Sequence, residues 1–317
     1  MSAVAARGIA PKRYSVRRRE WVHVITGALR TWRGATGAAL TLAVVGFAAL
    51  GPLFAPHGST DLLGAPFQTA DSSLPLGADQ LGRDVLSRVL EGGWQLLLVA
   101  AAATAFGIVV GGAAGITAAY VRGATDTVVM RTLDVLLAFP QLVFALLLVS
   151  VIGPKTWLIV IAVGLSHAPQ VARVLRSAAL DVSERDYVKA AEIIGVPPSR
   201  IMRQEVAPSL ITPLMVETGL RMTYSIIIIA GLSFIGFGIQ PPAPSWGLMI
   251  SENRIGMTQN YWSVLAPALL VALLTVGLNT FTDAIARVAL GVERAELVIV
   301  GEALGVEPEI APATDVG

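Results

Sequence analysis

The chemically most distinctive residues of this sequence are polar side chains placed inside long apolar segments. One group lies between residues 209 and 237, and we select it as the candidate lining of an interior path: Glu217, Arg221, Tyr224 and Ser225. Ionisable residues inside an apolar span cost free energy, so each of them is by default a hypothesis of function. Glu217 and Arg221 are four residues apart, where two opposite charges on a helix neutralise each other. We favour this pairing over direct contact with a ligand, although both roles can hold together.

The sequence lacks the motifs of the common enzyme classes. Its three histidines, His23, His57 and His167, are scattered and have no partners at metal-ligand spacing. There is no cysteine, which excludes disulfides and thiolate metal sites. None of the three lysines follows a glycine-rich phosphate-binding loop. We therefore predict no catalytic residue, no metal site and no cofactor in this chain.

A second polar group comes shortly before an apolar segment that begins near residue 96. Its members are Asp79, Arg83 and Asp84, followed by Arg88. These charges could hold a loop together by ion pairs, or they could contact a partner protein. The structural role is favoured, because exposed charge pairs are weak and non-specific.

A third candidate is the polar stretch from Asp186 to Pro198, which continues to Pro208. Its residues predict a short helix, a glycine, a double-proline break and a second helical turn. Ala191 and Gly195 are four residues apart and would share a face, where small side chains let another protein approach the backbone. From spacing alone, an ordinary amphipathic loop helix explains the stretch equally well.

The elements that carry these residues are predicted to be membrane-spanning helices. Hydrophobic residues make up 54% of the 317-residue chain and charged residues only 14%, with a mean hydropathy of +0.69. Soluble domains carry about 25% charged residues, and a spanning helix needs roughly 20 mainly apolar residues. Six segments qualify, with approximate bounds 37–55, 96–121, 128–152, 157–175, 209–237 and 264–286. The net charge of +1 gives no argument for binding to nucleic acid.

The distribution of Lys and Arg predicts the orientation of these spans. Eighteen of these residues fall on the side that holds both termini, four fall on the other side, and Arg221 lies inside a span. Because cytoplasmic loops carry the excess of basic residues, we expect both termini in the cytoplasm. The first span could instead be a signal peptide, but a preceding tail of about 35 residues is too long for such a peptide. An uncleaved first span is therefore favoured.

The chain is expected to divide into three regions. These are a basic cytoplasmic tail (1–35), a transmembrane domain (36–290) that contains a cytoplasmic loop (177–208), and a cytoplasmic C-terminal tail (291–317). Within the second span, Gly107, Gly111 and Gly115 form a stripe that permits close helix packing in lipid. We favour packing within the chain over packing between subunits.

Four parts of the sequence resemble the permease subunits of ABC importers. In the cytoplasmic loop, Ala190, Ala191, Gly195 and Pro208 fall at the offsets of the family's Glu-Ala-Ala motif, while Lys189 replaces its glutamate. Three further blocks are similar to the dipeptide, oligopeptide and nickel subfamily, and the first of them resembles its "C"-type permease. These blocks are residues 76–88, residues 130–140 and residues 231–247.

The resemblance implies an all-α transmembrane fold of the type I ABC importer (MetI-like) class, with a five-span core and one peripheral N-terminal span in the cell membrane. It also implies a heterodimer with a homologous "B"-type permease, two cytoplasmic ATPase subunits that bind ATP and Mg, and an extracytoplasmic solute-binding protein. Peptides are the expected cargo, with nickel or another small solute as the alternative. The residues expected to couple the permease to the ATPases are Tyr187, Ala190, Ala191, Gly195 and Pro208. Those expected to hold the external loop or contact the binding protein are Asp79, Arg83 and Asp84.

Two other classes of membrane protein are rivals to this interpretation. An ion-coupled secondary transporter would show inverted repeats or helices broken near the bilayer midplane, and neither is evident in the sequence. A membrane-embedded enzyme would need an intramembrane cluster of His, Asp and Glu, which the sequence lacks.

Overall fold

The computed structural model describes residues 17–291, with side chains from residue 21 onward, and this part of the chain is built from helices without a strand. The α-helices are α1 (Arg17–Arg30), α2 (Trp32–Phe54), α3 (Val85–Val121), α4 (Gly123–Leu137), α5 (Gln141–Ile152), α6 (Thr156–Ser183), α7 (Asp186–Ile193), α8 (Pro198–Ile201), α9 (Ala207–Ser209), α10 (Ile211–Ile235), α11 (Trp246–Asn253) and α12 (Trp262–Leu290). A π-helical turn (Met202–Val206) joins α8 to α9, and a 3-10 turn (Arg254–Gly256) follows α11. The predicted all-α membrane fold is confirmed. Residues 1–16 of the predicted N-terminal tail, and all but the first residue of the C-terminal tail, lie outside the described residues.

Five helices in residues 17–291 are long and apolar enough to cross a membrane: α2, α3, α6, α10 and α12. The predicted span 128–152 is not one straight helix, because α4 and α5 meet at an angle of 84°. The two helices together provide the sixth span if they are counted as one. Pro140 explains the break, since proline supplies no backbone N–H and disfavours helical geometry at the residue before it, Phe139.

Helix α3 begins eleven residues earlier than the apolar pattern predicted, at Val85 rather than near residue 96. Asp84 starts it, because its carboxylate accepts hydrogen bonds from the backbone N–H groups of Leu86 and Ser87. The helix has 37 residues and is therefore about 55 Å long, well beyond the apolar thickness of a bilayer. The loop of residues 55–84 folds against the N-terminal end of this helix.

The glycine stripe of α3 packs against α6 within the same chain, as predicted. A Cβ atom added to Gly107, Gly111 or Gly115 would lie 2.7, 2.4 or 2.3 Å from the backbone oxygens of Gly164, Ala168 and Ala172 respectively. Both partners advance by four residues in the same direction, so the two helices run parallel. Such a short backbone separation requires glycine on one side, and α3 and α6 share the most extensive contact of the described helix pairs.

Helix α2 lies at the edge of the bundle, as expected for a peripheral first span. Its N-terminal half runs antiparallel to α12, with Gly37 against Phe281 and Gly277 against Thr41. Its C-terminal half crosses α3, where Gly51 lies against the backbone of Leu90. The remaining faces of α2 expose large apolar side chains, which is typical of contact with lipid.

Candidate functional site

The loop between α6 and α10 forms a small, well-anchored helical unit. Val188 of α7 is fully buried and belongs to the same apolar cluster as Val182, Ile201 and Val206, so α7 is fixed by one face. The helix ends in a Schellman arrangement, with Val196 N–H donating to Ala191 C=O and Gly195 N–H donating to Glu192 C=O, both at 3.0 Å. This arrangement requires a left-handed residue after the helix, which Gly195 supplies with φ +77°.

The end of this helix presents apolar side chains to solvent. Ile193 and Ile194 are 86% and 78% exposed, and Tyr187 is also exposed on the same short helix. A Cβ atom at Gly195 would meet nothing within 4 Å, so the approach to the helix end is open. Two neighbouring, almost fully exposed isoleucines on a helix anchored from behind are typical of a docking surface. Ile193 and Ile194 are not among the residues predicted for coupling, although they end the predicted helix.

The other predicted coupling residues occupy different positions around the same unit. Ala190 is exposed, whereas Ala191 is half-buried against the apolar cluster beneath α7. Pro208 lies in α9, three residues before α10 begins, and so it does not itself start that helix. We expected Ala191 and Gly195 to form one open face, but only the Gly195 end of that face is open.

Lys189 occupies the position where the resemblance expects glutamate, and it points back to its own chain. Its ammonium group lies 3.1 Å from the Glu184 carboxylate, which also accepts a 2.7 Å hydrogen bond from Arg122 at the end of α3. The hydrogen bonds from Arg122 and then Lys189 lower the pKa of the Glu184 carboxyl group. All three side chains are about half exposed, so the contribution of these pairs to stability is small.

The polar residues of α10 are mostly turned into the bundle. Glu217 and Arg221 are nearly buried and form the predicted pair, with Arg221 Nε 3.0 Å from Glu217 Oε2. The Arg221 guanidinium also lies 5.4 Å from the centroid of the Tyr224 ring, and Tyr224 is exposed. Of the four predicted path residues, Tyr224 alone presents a large exposed surface.

Ser225 belongs to a buried hydrogen-bond chain that links α3, α6 and α10. Its hydroxyl lies 3.0 Å from His167 Nε2 and 2.9 Å from Thr104 Oγ1, and neither Ser225 nor His167 is exposed to solvent. This geometry favours a role in helix packing over direct contact with a ligand. His167 has no metal partner in the sequence, and the signal for its role is that it is a lone histidine inside an apolar span.

The charged residues before and at the start of α3 form a buried network with α11. Arg83 Nε lies 2.6 Å from Asp79 Oδ2, and the second arginine, Arg88, places Nη1 3.0 Å from the same oxygen. Both arginines also reach Glu252 at the end of α11, at 3.2 and 3.0 Å. Burial raises the pKa of the Glu252 carboxyl group, and the nearby Arg83 opposes that shift. The network therefore holds the loop that precedes α3 to α11.

Asp84 belongs to a different set of contacts from its neighbour Arg83. Besides capping α3, its carboxylate accepts a 2.6 Å hydrogen bond from the Ser87 hydroxyl and lies 3.1 Å from Nδ1 of His57. Asp79, Arg83 and Asp84 are all buried. Their groups are consequently satisfied within the chain, which supports the structural alternative over contact with a binding protein.

Comparison with known proteins identifies the family that this architecture represents. The family described as "Binding-protein-dependent transport system inner membrane component" matches residues 107–289, which include the α7 loop and α10. The chain belongs to this family. It is similar over a longer stretch to individual permeases, and the di/tripeptide transport system permease DppC of Pseudomonas aeruginosa is 32% identical over 259 residues, covering 79% of this chain and 86% of that protein.

Two further relatives show the range of permeases to which the chain is similar. The glutathione transport system permease GsiD of Pectobacterium atrosepticum is 33% identical over 208 residues, covering 66% of this chain and 69% of that protein. The probable D,D-dipeptide transport system permease DdpC of Escherichia coli is 31% identical over 209 residues, covering 66% and 70%. The resemblance to ABC importer permeases is confirmed, and the chain is a multi-pass integral protein of the inner membrane.

The external network of this permease gives a stability prediction. Changing Asp79 to Asn should lower the free energy of unfolding by about 3 kcal/mol, because two buried arginines would then share the single carboxylate of Glu252. Thermal unfolding of the detergent-purified chain measures the loss. The control is Asp61→Asn in the same external loop, which changes an exposed carboxylate and should alter stability by less than about 0.5 kcal/mol. Equal melting temperatures for the two variants would contradict the structural role of the network.

Proposed function

We propose that this permease pairs with a homologous permease and forms with it the path by which peptides cross the membrane. ATP would be bound and hydrolysed, with Mg, by two cytoplasmic ATPase subunits, and an extracytoplasmic binding protein would deliver the cargo. This chain itself would be a non-catalytic subunit. The observation that carries the proposal is the exposed pair Ile193 and Ile194, on a helix anchored by Val188 in the loop that matches the family.

The α7 loop has the properties needed to transmit movement from an ATPase. Burying two isoleucine side chains in a partner contributes roughly 3–6 kcal/mol, which is enough to hold the helix end as the partner moves. Val188 packs α7 into a cluster that includes Val182 of α6. Leu214 of α10 packs against the same cluster. Movement of the helix end would therefore shift the inner ends of two spans together.

The exposed face of α10 suits a path for a charged but variable cargo. Tyr224 and Ile227 are about half exposed there, while the charge of Arg221 is balanced by Glu217. A free arginine would hold the carboxylate of every peptide tightly and slow its release. The internal pair keeps the face close to neutral, so peptides of different charge can pass.

The cargo is inferred from the relatives, which are named as permeases for di- and tripeptides, D,D-dipeptides and glutathione. None of those relatives supports nickel. We expect that deleting the gene in a peptide-requiring strain abolishes growth on di- and tripeptides, and that the intact chain restores it. Uptake of labelled dipeptide and of radioactive nickel should be measured side by side. Loss of nickel uptake with normal dipeptide uptake would replace peptide by metal as the cargo.

The orientation of the chain is part of the proposal. The excess of Lys and Arg on one side predicts that both termini and the α7 loop are cytoplasmic. Reporter domains fused after Pro56, beyond α2, and after Arg185, beyond α6, should report the outside and the inside respectively. The reverse result would place Ile193 and Ile194 outside the cell and exclude contact with an ATPase.

A further inference from the structure

A groove at the outer end of α3 has no part in the function proposed above. It encloses about 350 Å³ between α3, the end of α2 and the segment that precedes α11. Its lining is Pro52, Glu91, Trp94, Gln95, Leu98 and Pro244. The four α3 residues recur at intervals of three and four, so they form one face of the helix.

The polar content of the groove is a carboxylate and a carboxamide with no basic residue. Among the described residues, no side chain pairs with the carboxylate of Glu91, whereas the buried carboxylates of Asp79 and Glu252 are held by arginines. Trp94 is 47% exposed beside it. A carboxylate next to an accessible indole ring attracts a cation and repels an anion.

The position of the groove indicates which part of the bilayer surrounds it. It opens beside the end of α2, where Leu50, Leu53 and Phe54 are all more than half exposed, as expected for side chains in contact with acyl chains. Tryptophan is enriched at the boundary between acyl chains and headgroups. Glu91 lies two helical turns outward from Leu98, so the polar end of the groove is at headgroup level and the apolar end faces the acyl region.

We propose that this groove binds the headgroup of a phospholipid with a primary ammonium group, such as phosphatidylethanolamine, in the outer leaflet. The ammonium N–H groups would donate to Glu91 and to the carboxamide oxygen of Gln95, with the Trp94 ring beside the cation. The acyl chain would follow Leu98 and Pro52. A quaternary ammonium has no N–H donor, so phosphatidylcholine satisfies the two acceptors less well. The proposal does not depend on the identity of the cargo.

Lipid binding to the purified chain, together with the subunits that co-purify with it, tests this proposal. This sample should be titrated with phosphatidylethanolamine, phosphatidylcholine and phosphatidylglycerol of identical acyl chains, and native mass spectrometry should measure the bound lipid. We expect phosphatidylethanolamine to bind roughly five- to tenfold more tightly than either of the other two lipids. Glu91→Gln should remove this preference, because it weakens binding of phosphatidylethanolamine and relieves the repulsion of the anionic phosphatidylglycerol, and Trp94→Leu should weaken the preference. Asp61→Asn, outside the groove, is the control and should leave the preference unchanged.

The alternative occupant is a segment of the partner permease, and cross-linking distinguishes the two. A photoreactive amino acid at position 94 should label lipid in membranes. Labelling of the partner permease would instead make the groove a subunit interface and overturn the proposal. Equal binding of ethanolamine and glycerol lipids, or an unchanged preference in Glu91→Gln at an unchanged melting temperature, would overturn it as well.

Discussion

Changing Ile193 and Ile194 to aspartate will abolish peptide uptake while leaving the chain folded in the membrane. Both side chains are almost fully exposed, so the folded chain loses little when they change. An ATPase surface that covers them would have to bury two carboxylates in place of two apolar side chains. We expect the affinity for the ATPases to fall roughly hundredfold or more. The measurement is uptake of labelled dipeptide, alongside the amount of ATPase that co-purifies with the chain.

Gly195 provides a matched pair of variants for the same surface. Gly195→Trp places a bulky ring where the approach is open, and it should block docking. Gly195→Asn keeps a small residue that tolerates the left-handed backbone at φ +77°, and it should retain most of the activity. Normal uptake by Gly195→Trp with ATPases bound would show that this loop is not the coupling element.

The second large effect concerns the seam between α3 and α6, where neighbouring glycines differ sharply. In Gly111→Ala the new Cβ would lie 2.4 Å from the backbone oxygen of Ala168, so the two helices have to separate. In Gly112→Ala the only neighbour is a flexible methyl group of Leu175 at 3.2 Å. We expect Gly111→Ala to lose about 3 kcal/mol or more of stability and Gly112→Ala less than about 1 kcal/mol.

The yield of monodisperse protein after detergent extraction and its melting temperature measure this difference. Gly111→Ala should give little folded protein, and Gly112→Ala should resemble the unmodified chain. If both variants have the same melting temperature, α3 and α6 are not packed backbone to backbone in the membrane. That outcome would place the glycine stripe at another surface, and the interface with the partner permease is the first one to examine.

The spans were predictable from the sequence because the bilayer leaves the backbone few choices. An apolar segment in lipid must satisfy its N–H and C=O groups internally, so hydropathy identifies helices directly. The same criterion failed at residues 128–152, where it averaged over Pro140 and joined two helices that meet at 84°. The same criterion placed the start of α3 near residue 96 instead of Val85. Polar residues such as Arg88 and Glu91 lower the local hydropathy there, although the helix continues through them.

The candidate site was predictable only where its contacts are local. Glu217 and Arg221 pair across one helical turn, and Gly195 ends the helix that precedes it, so spacing was sufficient in both cases. Glu252 lies more than 160 residues from Arg83 and Arg88, and no periodic pattern connects them. The hydrogen bond between His167 and Ser225 was likewise not predictable, because helix packing rather than spacing brings the two side chains together.

Reconstitution of the complete transporter tests the central claim most directly. The chain, its partner permease and the ATPases are placed in liposomes, and peptide accumulation is followed with peptide-loaded binding protein on one side and ATP on the other. We expect that accumulation requires ATP and that loaded binding protein stimulates ATP hydrolysis. The variant with aspartate at positions 193 and 194 should neither accumulate peptide nor show this stimulation. Accumulation driven by an ion gradient without ATP would contradict the account and favour a secondary transporter.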